Sequence, residues 1–312
     1  MKNINWSELG FGYFKTDYNV RCEYKDGKWG ELYATEDVNM NIHMASTCLH
    51  YGQEVFEGLK AFRGADGKVR LFRVEENAKR MINSGEYLKM AVPSVELFTK
   101  ACIEAVKLNA DYIPPYGSGA SLYLRPMLIG VGPQVGVKPS ADYLFAVFVT
   151  PVGPYYKDGF NCIKVIIDYD HDRAAPKGTG HVKVGGNYAA SLDSGEIAHQ
   201  KGFASVIFLD PATKQYIDEC SAANFFGIRD GKYITPDSHS VLPSITNKSL
   251  RQIAEDLGLK VEQRKVGVEE LPTFSEAGCC GTAAVISPIG SVYDPKTDKT
   301  IVYGDGKTAG PW

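Results

Sequence analysis

The chain has 312 residues, 44% hydrophobic and 23% charged, with 34 Lys plus Arg against 37 Asp plus Glu. Such a length exceeds a typical domain of ~100–200 residues and buries roughly three quarters of the surface that the unfolded chain exposes. One large or two medium domains can therefore hold together without disulfides or a structural metal. The near-neutral charge and ordinary composition exclude general disorder and give no electrostatic footprint for nucleic acid or an anionic membrane.

No apolar run reaches the ~20 residues of a bilayer span. Met1 to Phe14 mixes polar residues with single aromatics and has neither a signal-peptide core nor the look of a transit peptide. Seven cysteines are scattered along the chain without a C-x-x-C, which reads as reduced thiols in a cytoplasmic protein.

In chain order, short β-like runs alternate with helical ones, which predicts an α/β (α+β) architecture. Arg21–Tyr24 and Gly30–Ala34 flank Lys-Asp-Gly-Lys as a hairpin, and Gly58–Arg63 with Lys68–Phe72 flank Ala-Asp-Gly as another. A helix follows over Glu75–Leu88. Ser94 then caps a second helix, whose apolar face is Phe98, Ala101, Cys102, Ala105 and Leu108. Ala120–Ile129 and Tyr143–Thr150 are apolar, β-branched and aromatic, so they read as buried strands.

The pattern breaks in the Pro- and Gly-rich stretch Pro151 to Gly159, giving a domain at 1–152, a linker at 153–160 and a second domain at 161–312. Beyond it lie expected strands at Cys162–Asp168, Ser205–Asp210, Gln215–Ile217, Asn224–Arg229 and Lys232–Ile234. Helices are expected near Ala189–Gln200 and from about Asn247 to Leu257, before Gly258.

The motif search removes several chemistries. The chain holds no P-loop, no dinucleotide fingerprint, no G-x-S-x-G elbow, and no histidine spacing that suits zinc. Among the positive signals, Lys183-Val-Gly-Gly-Asn-Tyr188 sets an amine before a Gly-Gly turn and a helix start. Desolvation there would favour the neutral amine, which can form a Schiff base; a surface lysine before a turn is the other reading. Leu242-Pro-Ser-Ile-Thr246 enters a helix with free N–H groups and hydroxyls that suit a phosphate, or is an ordinary N-cap. Gly278-Cys-Cys-Gly-Thr282-Ala adds a turn with another hydroxyl.

Tyr216-Ile-Asp-Glu219 puts carboxylates at a strand end, for a protonated ring nitrogen or for solvent. Tyr123-Leu-Arg125 sets a phenol and a guanidinium on one face of a strand. The arginine wants a carboxylate or phosphate, from a ligand or from an internal ion pair.

Taken in order with His50-Tyr-Gly-Gln-Glu-Val-Phe56-Glu-Gly58-Leu-Lys-Ala-Phe, these segments closely resemble the branched-chain-amino-acid aminotransferases. Those are two-domain, fold-type IV pyridoxal-phosphate enzymes of the D-amino-acid-aminotransferase-like architecture. The resemblance runs from about residue 30 to 290. It implies pyridoxal 5'-phosphate as cofactor and transamination of Leu, Ile or Val with 2-oxoglutarate; the same fold also carries D-amino-acid aminotransferases and aminodeoxychorismate lyases, and a non-catalytic ligand-binding protein is the remote alternative.

Carried over by residue, the resemblance makes Lys183 the cofactor-bearing catalytic lysine, Glu219 the partner of the ring nitrogen and Tyr188 that of the ring 3-oxygen. Arg80, Thr246, the Ile245 backbone and Thr282 would hold the phosphate, with Leu242 on the ring. The substrate would meet Tyr123, Thr282 and Ala283 through its α-carboxylate. Tyr51, Phe56, Gly58 and Tyr155 would line its pocket, with Tyr51 supplied across a dimer interface, and Arg125 would accept glutamate's second carboxylate. The implied partners are small molecules and a second copy of the chain in a homodimer or higher homo-oligomer, without nucleic acid, membrane or metal. Two departures stand out: Ala284-Val-Ile-Ser287 replaces the redox C-x-x-C of some animal members, and the sequence reads Gly310-Pro-Trp312 where members usually continue into a helical segment.

Overall fold

Strands dominate because short β-branched and aromatic runs are punctuated by Gly, Asp and Asn turns. The computed structural model describes residue 2 and residues 4–153 and 161–312. The chain divides into two units, Met1–Lys157 with Val182–Gly185, and Asp158–His181 with Gly186–Trp312. It thus goes back to the first unit for one short segment, and Lys183 lies in it. A single cut in a Pro- and Gly-rich linker, the sequence-based expectation, cannot register that return. Residues 154–160, which include Tyr155, fall outside the described residues.

The first unit holds β1 (Asn19–Lys25), β2 (Lys28–Trp29), β3 (Tyr33–Thr35), α1 (Thr47–Tyr51), β4 (Glu54–Phe56), β5 (Leu59–Arg63) and β6 (Val69–Leu71). α2 (Val74–Tyr87), α3 (Val95–Leu108), β7 (Ser121–Gly130) and β8 (Tyr143–Val152) complete it. The strands form one sheet in the order β2-β1-β8-β7-β5-β6, with β3 beside β1 and β4 beside β7. All its pairings are antiparallel.

β7 and β8 are the long buried runs expected from their apolar sequences, and they pair from Ser121 against Val152 to Gly130 against Tyr143. The first hairpin differs from expectation. Of the anticipated strand Gly30–Ala34 only Tyr33 and Ala34 pair, in β3, while β2 forms earlier, at Lys28–Trp29, against the other end of β1; a glycine weakens a strand, here at Gly30.

α3 starts where the sequence places it, with the Ser94 hydroxyl accepting from the Leu97 N–H at 3.2 Å. Its buried stripe of Phe98, Ala101, Cys102 and Ala105 lies on the sheet, and the Phe98 ring stacks on Phe145 with centroids 5.8 Å apart. Val182 and Val184 are buried in this same core. Two valines anchored in the first unit's apolar interior explain why the segment around Lys183 belongs to it, and burying both contributes roughly 3–6 kcal/mol.

The second unit holds β9 (Ile163–Asp168), α4 (Gly185–Ala189, whose first residue belongs to the first unit), α5 (Leu192–Gln200), β10 (Ser205–Leu209), β11 (Ile217–Cys220) and β12 (Ala223–Arg229). β13 (Lys232–Pro236), α6 (Ile245–Asp256), β14 (Lys260–Arg264), β15 (Glu276–Gly281), β16 (Val285–Asp294) and β17 (Lys299–Val302) follow. Its sheet runs β11-β10-β9-β16-β15-β12-β13-β14, with β17 on β16. An additional β11–β12 pairing closes the first six of these strands into a ring. Closure removes two open edges. It also brings Glu219 of β11 opposite Asn224 of β12 on one side and Phe208 of β10 on the other.

Three expectations shift in this unit. The helix anticipated over Ala189–Gln200 is two helices, α4 and α5, separated by a turn at Ala190-Ser191. The helix expected from Asn247 begins earlier, at Ile245, because Ser244 is its cap. The strand expected at Gln215–Ile217 is instead Ile217–Cys220, so two carboxylates lie inside a buried strand, Asp218 at 3% and Glu219 at 2% exposure. Carboxylates are almost never buried unless paired, and a pattern reading pushes them into the next loop.

Candidate active site

In the first unit the predicted residues gather around Phe56. The Lys183 N–H donates to Ser84 Oγ at 3.0 Å, and the Lys183 carbonyl accepts from the Phe56 N–H at 3.2 Å. No strand leads into this lysine; the flanking valines hold it instead. Its Nζ lies 4.7 Å from the centroid of the Phe56 ring, and the Arg125 guanidinium carbon lies 4.8 Å from the same centroid. Both cations thus meet the negative face of one aromatic ring. The Gly185 N–H donates to Glu54 Oε1, and a Cβ on Gly185 would collide with that carboxylate. Burial pushes the Glu54 carboxyl up, against the Gly185 N–H and the Arg125 charge.

Arg125 and Tyr123 share a face of β7, as their spacing requires, and Arg125 Nη2 donates to the Tyr123 hydroxyl at 3.1 Å. Gly58 lies directly beneath that phenol, where a Cβ would collide with its hydroxyl. Arg125 has no ion-pair partner among the described residues, and its Nε is buried without an acceptor. The internal ion pair, one of two readings open from the sequence, is therefore not formed among the described residues.

Arg80 contrasts with it. On α2, its Nε and Nη2 donate to Glu57 Oε1 and Oε2, both at 2.7 Å, and Glu57 is completely buried. Such a fork-to-carboxylate pair fixes the guanidinium's orientation. Tyr51, at the end of α1, is more exposed than the others, and its hydroxyl donates to the Val135 carbonyl.

In the second unit the centre is Glu219. Its Oε1 accepts from the Leu242 N–H and from Asn224 Nδ2 at 3.3 Å, and stands 3.3 Å from Arg173 Nη2 in an ion pair. The network continues inward. Asn224 Oδ1 accepts from Asn247 Nδ2 at 3.0 Å, which also reaches Thr235 Oγ1 at 2.9 Å, while Asn247 Oδ1 accepts from the Tyr233 hydroxyl at 2.9 Å.

Asn247 stands in the first turn of α6, where Ser244 Oγ accepts its N–H at 3.1 Å. Ile245 and Thr246 precede it, with the N–H groups that a helix cannot pair internally. Thr282 and Ala283 form the turn between β15 and β16. That turn closes with Val285 at φ 63°, in the left-handed region a β-branched residue rarely enters. Tyr188 lies on α4, which is tied down by Asn187 Nδ2 donating to the Thr179 carbonyl and Thr179 Oγ1 donating to Asn187 Oδ1, both at 2.7 Å.

The family model for class IV amino-transferases matches residues 54–292. The chain belongs to the class IV aminotransferases. Within them it is 52% identical over 299 residues to the branched-chain-amino-acid aminotransferase of Haemophilus influenzae, covering 94% of this chain and 87% of that one. The Helicobacter pylori enzyme of the same name is 52% identical over 292 residues, with 93% and 86% covered. Among solved structures, the Escherichia coli branched-chain amino acid aminotransferase superposes with a TM-score of 0.77 at 29% identity, over 95% of this chain and 91% of that one. The T.th. branched-chain amino acid aminotransferase with pyridoxamine 5'-phosphate also gives 0.77, at 27% identity over 96% and 91%.

The family's cofactor is pyridoxal 5'-phosphate, and the donor set present fits it. An amine suits its aldehyde, a buried carboxylate held by N–H donors and a guanidinium suits its ring nitrogen, and a capped helix start beside threonine suits its phosphate. Sequence reasoning missed Ser84, Glu57, Asn247 and Arg173. Ser84 links two site residues, accepting from the Lys183 N–H and donating to the Arg80 carbonyl at 2.8 Å. Glu57 was in view, inside the quoted Phe56-Glu-Gly58 motif, and an acid amid apolar residues is the signal that could have found it. An apolar hollow of ≈ 380 Å³ beside α6, lined by Leu250, Ile253, Leu257 and Trp312, contains none of the predicted site residues.

Proposed function

We propose that this aminotransferase exchanges nitrogen between L-leucine, L-isoleucine or L-valine and 2-oxoglutarate, with the site residues assigned from the sequence. One observation carries the reading: Arg125, a guanidinium without an ion-pair partner among the described residues, stands beside the aromatic rings of Phe56 and Tyr123. A double-substrate enzyme needs both features. Ring surface receives a branched aliphatic side chain at ~25 cal/mol per Å² buried. A waiting cation receives the second carboxylate of glutamate, which would otherwise lose its hydration without compensation.

When bound, pyridoxal phosphate supplies an aldehyde and a ring that withdraws electrons from the substrate's Cα. Lys183 would hold the cofactor and, once the substrate's own amine has displaced it, its freed amine would take the proton from that Cα, kept in place by its buried valine neighbours. Glu219 would hold the proton on the ring nitrogen, Tyr188 would donate to the ring 3-oxygen and Leu242 would pack on the ring. Arg80, the Ile245 backbone, Thr246 and Thr282 would hold the phosphate. Tyr123 and the Thr282-Ala283 turn orient the substrate's α-carboxylate.

Tyr51 serves the site of a second copy. Supporting this, two neighbouring loops expose large apolar side chains: Met44 at 81%, Val135 at 86% and Val137 at 85%. The loops are joined by the Gln134 N–H donating to the Ala45 carbonyl at 2.9 Å. Contiguous exposed apolar surface marks an interface, and sedimentation should give a dimer or larger. Seven unpaired cysteines support a cytoplasmic setting. No helix among the described residues is long and apolar enough to cross a membrane.

The test is an assay of purified protein loaded with pyridoxal phosphate. L-leucine plus 2-oxoglutarate should yield glutamate and the branched 2-oxo acid. Turnover of D-alanine with none of L-leucine would move the protein to another activity of the same fold.

A further inference from the structure

We infer that Arg173 is a positioning residue that keeps Glu219 an anion and so keeps the shared proton on the cofactor's ring nitrogen. The inference rests on the reading of Glu219 as that nitrogen's partner. Arg173 lies in the loop between β9 and α4, only 8% exposed. Its Nη2 donates to the Gly180 carbonyl at 2.9 Å and to the Ser240 carbonyl, and stands 3.3 Å from Glu219 Oε1. Its Nε is buried and has no acceptor.

Among the described residues, Glu219 is the one carboxylate that pairs with this guanidinium. The two carbonyls converge because Gly180 lies against the Ser240 backbone, where a Cβ would collide with it. The head group is thus fixed from one side by main chain and aims its charge at the carboxylate on the other.

The two donors named above for Glu219, the Leu242 N–H and the Asn224 amide, are neutral. Ionisable groups beside it include Asp218 and Cys220 on β11 and Cys280 on β15, and burial raises all three, with Cys279 the larger cause at Cys220. None of these brings positive charge. A carboxylate desolvated to this degree drifts toward its neutral form unless a cation stands beside it.

A carboxyl and a pyridine nitrogen that share one proton can place it on either atom. On the nitrogen it makes the ring a stronger electron sink; on the oxygen it does not. A fixed guanidinium next to the oxygen biases the proton to the nitrogen. The alternative is that Arg173 only staples the loop to Gly180 and Ser240.

The experiment loads wild type, Arg173→Gln, Arg173→Lys and Glu219→Gln with ring-¹⁵N pyridoxal phosphate and records the ¹⁵N resonance at neutral pH. Wild type and Arg173→Lys should show the protonated nitrogen. Arg173→Gln, which keeps an N–H donor for the two carbonyls but no charge, should show the unprotonated one. Its kcat should fall ~100-fold while KM changes less than ~3-fold. A protonated signal in Arg173→Gln, with Glu219→Gln unprotonated, would leave Arg173 a loop staple and overturn the inference. A protonated signal in Glu219→Gln would instead remove the assignment of Glu219 itself. If Arg173→Gln does not fold, Arg173→Met is read in the same way.

Discussion

Two arginines, Arg125 in the first unit and Arg173 in the second, stand in contrasting surroundings. Around Glu219 in the second unit the protein supplies a main-chain N–H, an amide and a guanidinium to one oxygen, then Asn224, Asn247, Thr235 and Tyr233 behind them. Around Arg125 in the first unit the protein supplies a phenol and two aromatic faces but no ion-pair partner among the described residues. A network in which the charges are paired holds them in one place. An unsatisfied one stores a cost that a ligand can relieve. The comparison teaches that Glu219 is held by its surroundings while Arg125 keeps its charge without an ion-pair partner among the described residues, as the proposed roles of the two residues require.

The largest effect belongs to neither network. Lys183→Ala should lower turnover by at least ~10³-fold while the circular dichroism spectrum and melting midpoint stay close to wild type. Near-normal activity would remove the assigned lysine. Next is the Glu219 network. Asn247→Ala leaves Asn224 Oδ1 and the Tyr233 hydroxyl buried without this partner, and should cost about 2–4 kcal/mol in denaturant unfolding. A loss below ~1 kcal/mol would mean the network does not hold as described.

A smaller effect tests charge pairing away from the site. Arg264 grips Glu270 with two bonds of 2.8 Å and, with the Gly267 N–H and Arg229 adding to it, holds that carboxyl down at about 2. A carboxylate depressed on folding contributes stability above its unfolded pKa and loses it as pH falls toward the folded one. Glu270→Gln should therefore be less stable than wild type by about 1–3 kcal/mol at neutral pH, with the gap closing as pH falls from the usual carboxylate range to about 2. A gap independent of pH would contradict the pairing. Smallest of all, Arg125→Leu should change stability by less than ~1 kcal/mol, because it removes a charge that has no ion-pair partner among the described residues.

The legible part of this protein was local. Continuous apolar runs identified β7 and β8, and the Ser94 cap with its apolar stripe identified α3, because propensity, burial and hydrogen bonding agree there. The spacing of Tyr123 and Arg125 gave their shared face correctly. Ring closure through β11 and β12 was not legible, since it pairs a strand whose buried carboxylates read as loop. Arg173 was invisible for a similar reason: it stands in an irregular segment, and its partners Ser240 and Glu219 are remote in the chain. The return of Val182–Gly185 to the first unit depends on a core assembled from residues before position 150, which no window around Lys183 contains.

The most direct test of the role proposed for Arg125 is a pair of half-reactions followed by visible absorbance, one with L-leucine and one with L-glutamate, in wild type and in Arg125→Leu. The account predicts that the second-order rate constant for glutamate falls at least ~30-fold and that for leucine less than ~3-fold, the loss of one charge-assisted pair to a single substrate. Equal losses for the two amino acids would contradict it, and would make Arg125 a support for Tyr123 and Phe56 rather than the receiver of a second carboxylate.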